Sequence, residues 1–260
     1  MGRDFLEAAR EGEGILVLTV DRPPVNALNF QQMNHLLDAL LEKAEDGSVK
    51  AIVLTGKGKV FMAGFDIKEI QSIGTPETCF ERTMEIKQRL LKLEHLRKPV
   101  IAAINGDCLG GGLELAMACH LRFACQRARF GFPEILIATI PSFGGTQRSA
   151  RLVGKGKALD LLLTGELIGA PEAFRVGFLN GLLPDETFWE SVLEVARKIA
   201  RKSLPSLQAV MDSVTQGMDK GLEQAMVWES QVSSRLIQTE DLKEGISAFF
   251  ERRKPLFRDR

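Results

Sequence analysis

Short apolar runs alternate with amphipathic stretches over the first two thirds of the chain, and the pattern predicts strands and helices in turn. Strands are predicted at Ile15 to Val20, Ala51 to Thr55, Val100 to Ile104 and Leu121 to Cys125. Each is short and rich in β-branched or bulky apolar residues, and most run into turn residues such as Asp21-Arg22-Pro23-Pro24 or Gly56-Lys57-Gly58. Between them, Phe30 to Ala44 carries Met33, Leu36, Leu37, Leu40 and Leu41 at helical spacing. Glu77 to Arg97 does so more loosely, through Phe80, Met84, Leu90, Leu91 and Leu93. This alternation implies an α/β core with largely parallel strands. After about Asp185 the texture is helical only: Phe188 to Lys202, Leu207 to Gly217, Leu222 to Ile237 and Leu242 to Arg253, punctuated by Pro205, Gly217 and Gly221. The expected organisation is an α/β core over residues 1–185 that holds the active site. A C-terminal helical region over 186–260 packs on it and serves oligomerisation.

Composition narrows the class. A chain of 260 residues, 45% hydrophobic, has ample material for a core. Lys+Arg and Asp+Glu both number 34, so the net charge of +0 argues against a nucleic-acid binder that works by bulk phosphate neutralisation. Cys79, Cys108, Cys119 and Cys125 form no CxxC pair, and His35, His95 and His120 form no H-x-x-x-H or H-E-x-x-H pair. A disulfide scaffold and a metal site are therefore not expected, and a reducing compartment is. The opening MGRDFLEAAREGEG has acidic residues and no apolar core of a signal, and no run approaches the roughly 20 apolar residues that span a bilayer. Leu6 breaks the myristoylation pattern. No membrane partner and an intracellular location follow as expectations.

Candidate chemistry gathers around two glutamates in apolar, glycine-rich surroundings. Glu114 lies in Gly110-Gly111-Gly112-Leu113-Glu114-Leu115 and Glu134 in Phe130-Gly131-Phe132-Pro133-Glu134. Desolvation raises a carboxyl above its free pKa of about 4.3 and makes it a proton carrier near neutral pH. The glycine run follows the predicted strand at Val100 to Ile104 and opens a helix, where unpaired N–H groups meet a ligand at close range. A second glycine loop, Phe61-Met62-Ala63-Gly64-Phe65-Asp66, follows the strand at Ala51 to Thr55 and offers another backbone donor. Taken singly, each has a plainer reading. The three glycines serve tight strand–helix packing, the Gly64 loop is an ordinary turn, and Glu134 is a helix-start carboxylate after Pro133. Rival chemistries lack their marks: there is no G-x-S-x-G, no GxGxxG, no P-loop and no Tyr, and Cys108 has no histidine at a telling spacing.

Jointly and in order, these segments resemble the crotonase superfamily of enoyl-CoA hydratases and isomerases. The matching residues are Pro24-Val25-Asn26-Ala27-Leu28, Met62-Ala63-Gly64-Phe65-Asp66-Ile67-Lys68, Gly110 to Ala116 and Phe130 to Glu134. Gly144-Gly145-Thr146-Gln147-Arg148, Thr164-Gly165 and Phe249 to Lys254 complete the set, which covers nearly the whole chain. The resemblance implies a crotonase-like (ClpP/crotonase) α/β fold of repeated strand–helix units with a C-terminal α-helical appendage.

Function follows from the same likeness. The backbone N–H groups of Phe65 and Gly111 would form an oxyanion hole for an acyl-thioester carbonyl, and Glu114 and Glu134 fill the two positions that carry glutamates in true hydratases. Isomerase-type members generally rely on the carboxylate at the position of Glu134, so the pair favours hydration. The implied reaction is syn addition of water to a trans-2-enoyl-CoA, giving a 3-hydroxyacyl-CoA, as in fatty acid β-oxidation. Coenzyme A is then part of the substrate and no separate cofactor is implied. Ala63, Gly64, Asp66, Ile67, Lys68 and Gly110 would line the CoA site, with Phe249 and Arg252 reaching the nucleotide. Phe65 stands where many hydratases have a small residue, and its ring, with Phe132 and Phe143, would bound the acyl pocket. His120, where an acidic residue is frequent, reads as structural. Family members form trimers or dimers of trimers, and a cytoplasmic or mitochondrial-matrix location fits them. The alternatives are an enoyl-CoA isomerase or another reaction on the same frame, and a non-catalytic CoA- or RNA-binding scaffold.

Overall fold

Each predicted strand lies in one six-stranded sheet of a computed structural model that describes residues 5–260. Numbered along the chain, its strands are β1 (Leu6–Arg10), β2 (Ile15–Val20), β3 (Ala51–Gly56), β5 (Val100–Ile104), β7 (Leu121–Cys125) and β10 (Gly181–Leu183), in the order β1-β2-β3-β5-β7-β10. From β2 to β10 every neighbour is parallel, and only β1 runs antiparallel, at the edge. Parallel sheets are covered on both faces and so need apolar residues at every position. The central strands β3 (AIVLTG) and β5 (VIAAI) meet that need and are buried throughout.

A second sheet, absent from the sequence reading, sets the rhythm of the fold. Its strands are β4 (Val60–Met62), β6 (Asp107–Leu109), β8 (Arg129–Gly131) and β9 (Ile168–Gly169), in the order β4-β6-β8-β9. Three times a strand of the large sheet hands directly to a strand of the small one: β3 to β4, β5 to β6, β7 to β8. Helices follow: α2 (Ile67–Gln71) and α3 (Pro76–Glu94) after β4, and α4 (Gly111–Ala118) after β6. After β8 come a 3₁₀ turn (Pro133–Ile137), then α5 (Gly145–Val153) and α6 (Lys155–Thr164). The Gly64 loop therefore leaves β4 and not β3.

Helix boundaries follow local chemistry. The helix α1 (Phe30–Glu45) starts on a capping box in which Asn29 Oδ1 accepts the Gln32 N–H and Gln32 Oε1 accepts the Asn29 N–H. It buries Met33, Leu36, Leu37 and Leu40 and packs along α3. Past α7 (Ala170–Val176) and β10, the chain is helical: α8 (Phe188–Ala200), α9 (Leu204–Gly217), α10 (Leu222–Ser234) and α11 (Glu240–Phe250). Pro205 lies inside the first turn of α9 and does not precede it, because the first helical positions need no N–H. Burying Val192, Leu193 and Ala196, α8 packs against β2, β3, β5 and β7 and is part of the sheet's own cover.

Candidate active site

The small sheet brings the glycine motifs together. Within it β4, β6 and β8 are parallel neighbours, with Met62 beside Cys108, Cys108 beside Phe130 and Leu109 beside Gly131. Their C-terminal ends are thus side by side, and the Ala63 loop, the Gly110 turn and the Phe132–Glu134 turn emerge from one edge. Open α/β sheets receive ligands at such C-terminal ends. The Gly110 N–H donates to Gly131 O at 3.0 Å and ties two of the three turns.

Two main-chain amides border one space there. Leu28 forms a one-rung parallel bridge with Phe65, its N–H donating to Gly64 O (3.2 Å) and its C=O accepting from Asp66 N (2.9 Å). In a parallel pairing the residue opposite points its own N–H away from the partner strand, so the Phe65 N–H faces away from Leu28. The Gly111 N–H heads α4 and belongs to the first turn, which has no intrahelical acceptor. Among the described residues neither amide has a hydrogen-bond acceptor in the protein. A Cβ on Gly111 would lie 3.5 Å from Phe65 N, and one on Gly64 would lie 3.6 Å from Gly111 N. Glycine at both positions keeps the space between the amides open. Gly112 answers a different demand, because a Cβ there would meet Met62 O at 2.4 Å.

The two glutamates flank this space. Glu114 is 1% exposed on α4, whose residues are all buried, and its Oε1 accepts the Phe143 N–H (2.7 Å) and the Gly145 N–H (2.6 Å). Burial pushes its carboxyl up to about 8, and the charge of Glu134 pushes the same way, against the lowering pull of those two amides and of Arg148. Glu134 sits in the 3₁₀ turn, with Pro133 in its first turn. Gly110 is at φ +49°, and a Cβ there would stand 2.6 Å from Glu134 Oε1 and displace the carboxyl. Burial lifts Glu134 to about 7, and its Oε2 is buried without a partner among the described residues. Between about pH 7 and 8 two such groups share about one proton, and both a proton acceptor and a proton donor are present together.

Not every expected site residue converges here. Phe143 does: its ring packs edge-on to Phe65 (5.2 Å between centroids) and to Phe30 (6.2 Å), while Phe30 and Phe65 are 4.5 Å apart. Phe132 does not join that aromatic wall, because its fully buried ring packs against Phe178 at 6.5 Å. Asp66 has structural work of its own. It caps α2 by accepting the Lys68 N–H at 3.1 Å and pairs with Arg22 at 2.8 Å, which holds its carboxyl below the usual range. Ile67 is 61% exposed beside it. Phe249, also exposed, packs edge-on to Phe250 and, like Arg252, has no hydrogen bond, ion pair or ring contact with the Ala63–Lys68 segment among the described residues. His120 Nδ1 accepts the Val100 N–H at 3.0 Å, and burial pushes the ring down to about 4, in keeping with a neutral structural role.

Sequence reasoning missed the supports. Asn26 Nδ2 donates to Val60 O (2.8 Å) and Lys57 O (3.1 Å), while its Oδ1 accepts the Arg22 N–H (2.9 Å). Arg148 reaches Phe143 O at 2.7 Å and pairs with Glu94. Asn26 and Arg148 stood inside quoted motifs, but nothing in the linear pattern marked Glu94, 20 residues upstream of Glu114 and on another helix.

The chain also resembles known proteins over nearly its whole length. Residues 10–260 match the family model described as enoyl-CoA hydratase/isomerase. A short-chain-enoyl-CoA hydratase of Clostridium acetobutylicum is 39% identical over 247 residues, 94% of each chain. A crotonyl-CoA hydratase of Syntrophomonas wolfei is 39% identical over 248 residues, 94% of this chain and 95% of the other. The crystal structure of an enoyl-CoA hydratase from Bacillus anthracis superposes with a TM-score of 0.93 at 32% identity, covering 99% of this chain and all of that one. In fold and in sequence over nearly its whole length, this chain belongs to the enoyl-CoA hydratase/isomerase family.

Proposed function

We propose that the chain is an enoyl-CoA hydratase, a lyase that adds water across the double bond of a trans-2-enoyl-CoA to give a 3-hydroxyacyl-CoA. The observation that carries this reading is the presence of two desolvated carboxyls, Glu114 and Glu134, beside the unpaired amides of Phe65 and Gly111. The thioester oxygen accepts from both amides, which are fixed in place before charge develops on it; one such donor is worth about 3 kcal/mol. Polarisation of the carbonyl makes the β carbon electrophilic. A water held between the carboxyls loses a proton to the ionised one as its oxygen bonds that carbon. The protonated carboxyl gives its proton to the α carbon, and the pair ends with the same number of protons as it began.

The Ala63–Lys68 loop and Gly110 bind the CoA portion, with Phe249 and Arg252 contributing through a neighbouring subunit. No further cofactor takes part. Self-association as a trimer or dimer of trimers is supported by apolar residues left open on α9 and α10, where Val210, Val214, Leu222 and Met226 are each more than half exposed. No helix among the described residues is long and apolar enough to cross a membrane, and the relatives named above are bacterial, which supports a cytoplasmic location.

Crotonyl-CoA hydration, followed by loss of the enoyl absorbance, tests the reading. Zero turnover at saturating substrate removes the hydratase in favour of a scaffold. Retention of double-bond isomerisation without hydration in the wild type moves the assignment to an isomerase.

A further inference from the structure

Between α3, α4 and α5 lies a buried arrangement that no step of the proposed reaction uses. Phe143 is held through both of its backbone groups: Glu114 Oε1 accepts its N–H, and Arg148 Nη1 donates to its C=O at 2.7 Å. Arg148 belongs to the first turn of α5, and its Nε is paired with Glu94, the last residue of α3. Both side chains are mostly removed from water, at 13% and 26% exposure. Gly144 makes room for the guanidinium, because a Cβ there would stand 2.2 Å from Arg148 Nη1.

We propose that Arg148, seated on Glu94, is a positioning residue for the hydration reaction, fixing the Phe143–Gly145 loop so that Glu114 keeps both of its amide donors. The inference rests on the hydratase reading. Both hydrogen bonds to Glu114 come from this one loop, so a shift of the loop removes two donors at once from a buried carboxyl. Loss of such bonds hurts the ionised form far more than the neutral one. The charged groups around Glu114 are few: Glu134 from the 3₁₀ turn, and Arg148 from α5 with Glu94 of α3 behind it. Removing the guanidinium therefore weakens the ionised state through geometry and through charge alike. Phe143 also carries one ring of the aromatic wall, so its displacement changes the surface beside Gly111.

The test compares wild type, Arg148→Met, Arg148→Lys and Glu94→Gln with crotonyl-CoA. R148M is expected to lose about 10- to 100-fold in kcat, the scale of an ångström-level misplacement, with KM changed less than about threefold. Its pH–rate profile should move its alkaline limb to higher pH, since Glu114 then holds its proton longer. R148K retains the charge and loses the two-sided fork, so it should recover the pH limb but only part of kcat. E94Q should lower kcat modestly without raising that limb. A wild type that hydrates crotonyl-CoA beside an R148M enzyme of unchanged kcat and pH profile overturns this inference alone. So does a loss that appears only in KM. If R148M does not fold, R148K with an undiminished kcat overturns it equally. A wild type without hydratase activity instead defeats the reading beneath it.

Discussion

Glu114 rides on a helix whose every residue is buried, whereas Glu134 rides on a 3₁₀ turn whose Leu136 is 70% exposed. Burial raises both carboxyls, to about 8 and about 7, yet their support differs. Glu114 is fixed by two amides; Glu134 rests against the bare backbone of Gly110 and keeps an oxygen without a partner. The contrast separates two tasks that a proton-transferring pair must share. In the proposed reaction Glu114, fixed by its two amides, orients the water, and Glu134, with one oxygen unpartnered among the described residues, carries the proton.

The sharpest way to break this comparison is to neutralise each carboxyl in turn. Glu114→Gln and Glu134→Gln should each lower kcat for crotonyl-CoA by about 10² to 10⁴, the scale of one acid–base role. A Gln at 114 still accepts the two amides through its Oε1, so its thermal stability should stay at or above that of the wild type. If E114Q hydrates at the wild-type rate, the pair is not the catalyst.

Next in size is the amide space. Gly111→Ala places a methyl 3.5 Å from Phe65 N, at ordinary contact distance, so the protein should fold while an oxygen bound to that N–H is crowded. A loss of about 10² to 10³ in kcat is expected, as for removal of one oxyanion donor. Steady-state kinetics with a melting curve as control checks it.

Stability against pH probes the carboxyls without substrate. Between about 4.5 and about 8 the folded chain retains protons that the unfolded chain releases, so these groups make stability fall as pH rises across that window. E134Q should therefore melt a few degrees above wild type at pH 9 and coincide with it near pH 4.5, given about 2–4 °C per kcal/mol at this size. Melting curves with equal spacing at both pH values would show that Glu134 is not desolvated.

The smallest effect is expected at Phe65. Replacing its ring by Ala opens the wall shared with Phe30 and Phe143 but leaves the main-chain donor, so kcat on crotonyl-CoA should change less than about tenfold. Relative kcat/KM for longer enoyl chains should rise.

Much of this was legible before any coordinates. The strands β2, β3 and β5 announce themselves as largely apolar runs, β7 as a shorter one broken by Arg122, and α1 as a helical stripe. The small sheet does not, because VFM, DCL and RFG are three residues each and no two-residue period can show itself in so short a piece. Its strands exist because the larger sheet delivers them side by side, which is tertiary information. The motifs named Glu114, Glu134, Phe65 and Gly111, but their supports lay out of sight for the same reason. Arg148 meets Glu94 across 54 residues, and Leu28 meets Phe65 across 37. The packing of Phe132 on Phe178 was out of sight in the same way, since the two lie 46 residues apart.

The single rung between Leu28 and Phe65 has a lasting consequence for how such a protein can change. Since the donor at position 65 is an amide aimed by its partner strand, any L-residue there except proline presents the same N–H. Under the proposed reaction, mutation can redraw the neighbouring wall while the main-chain donor stays where it is.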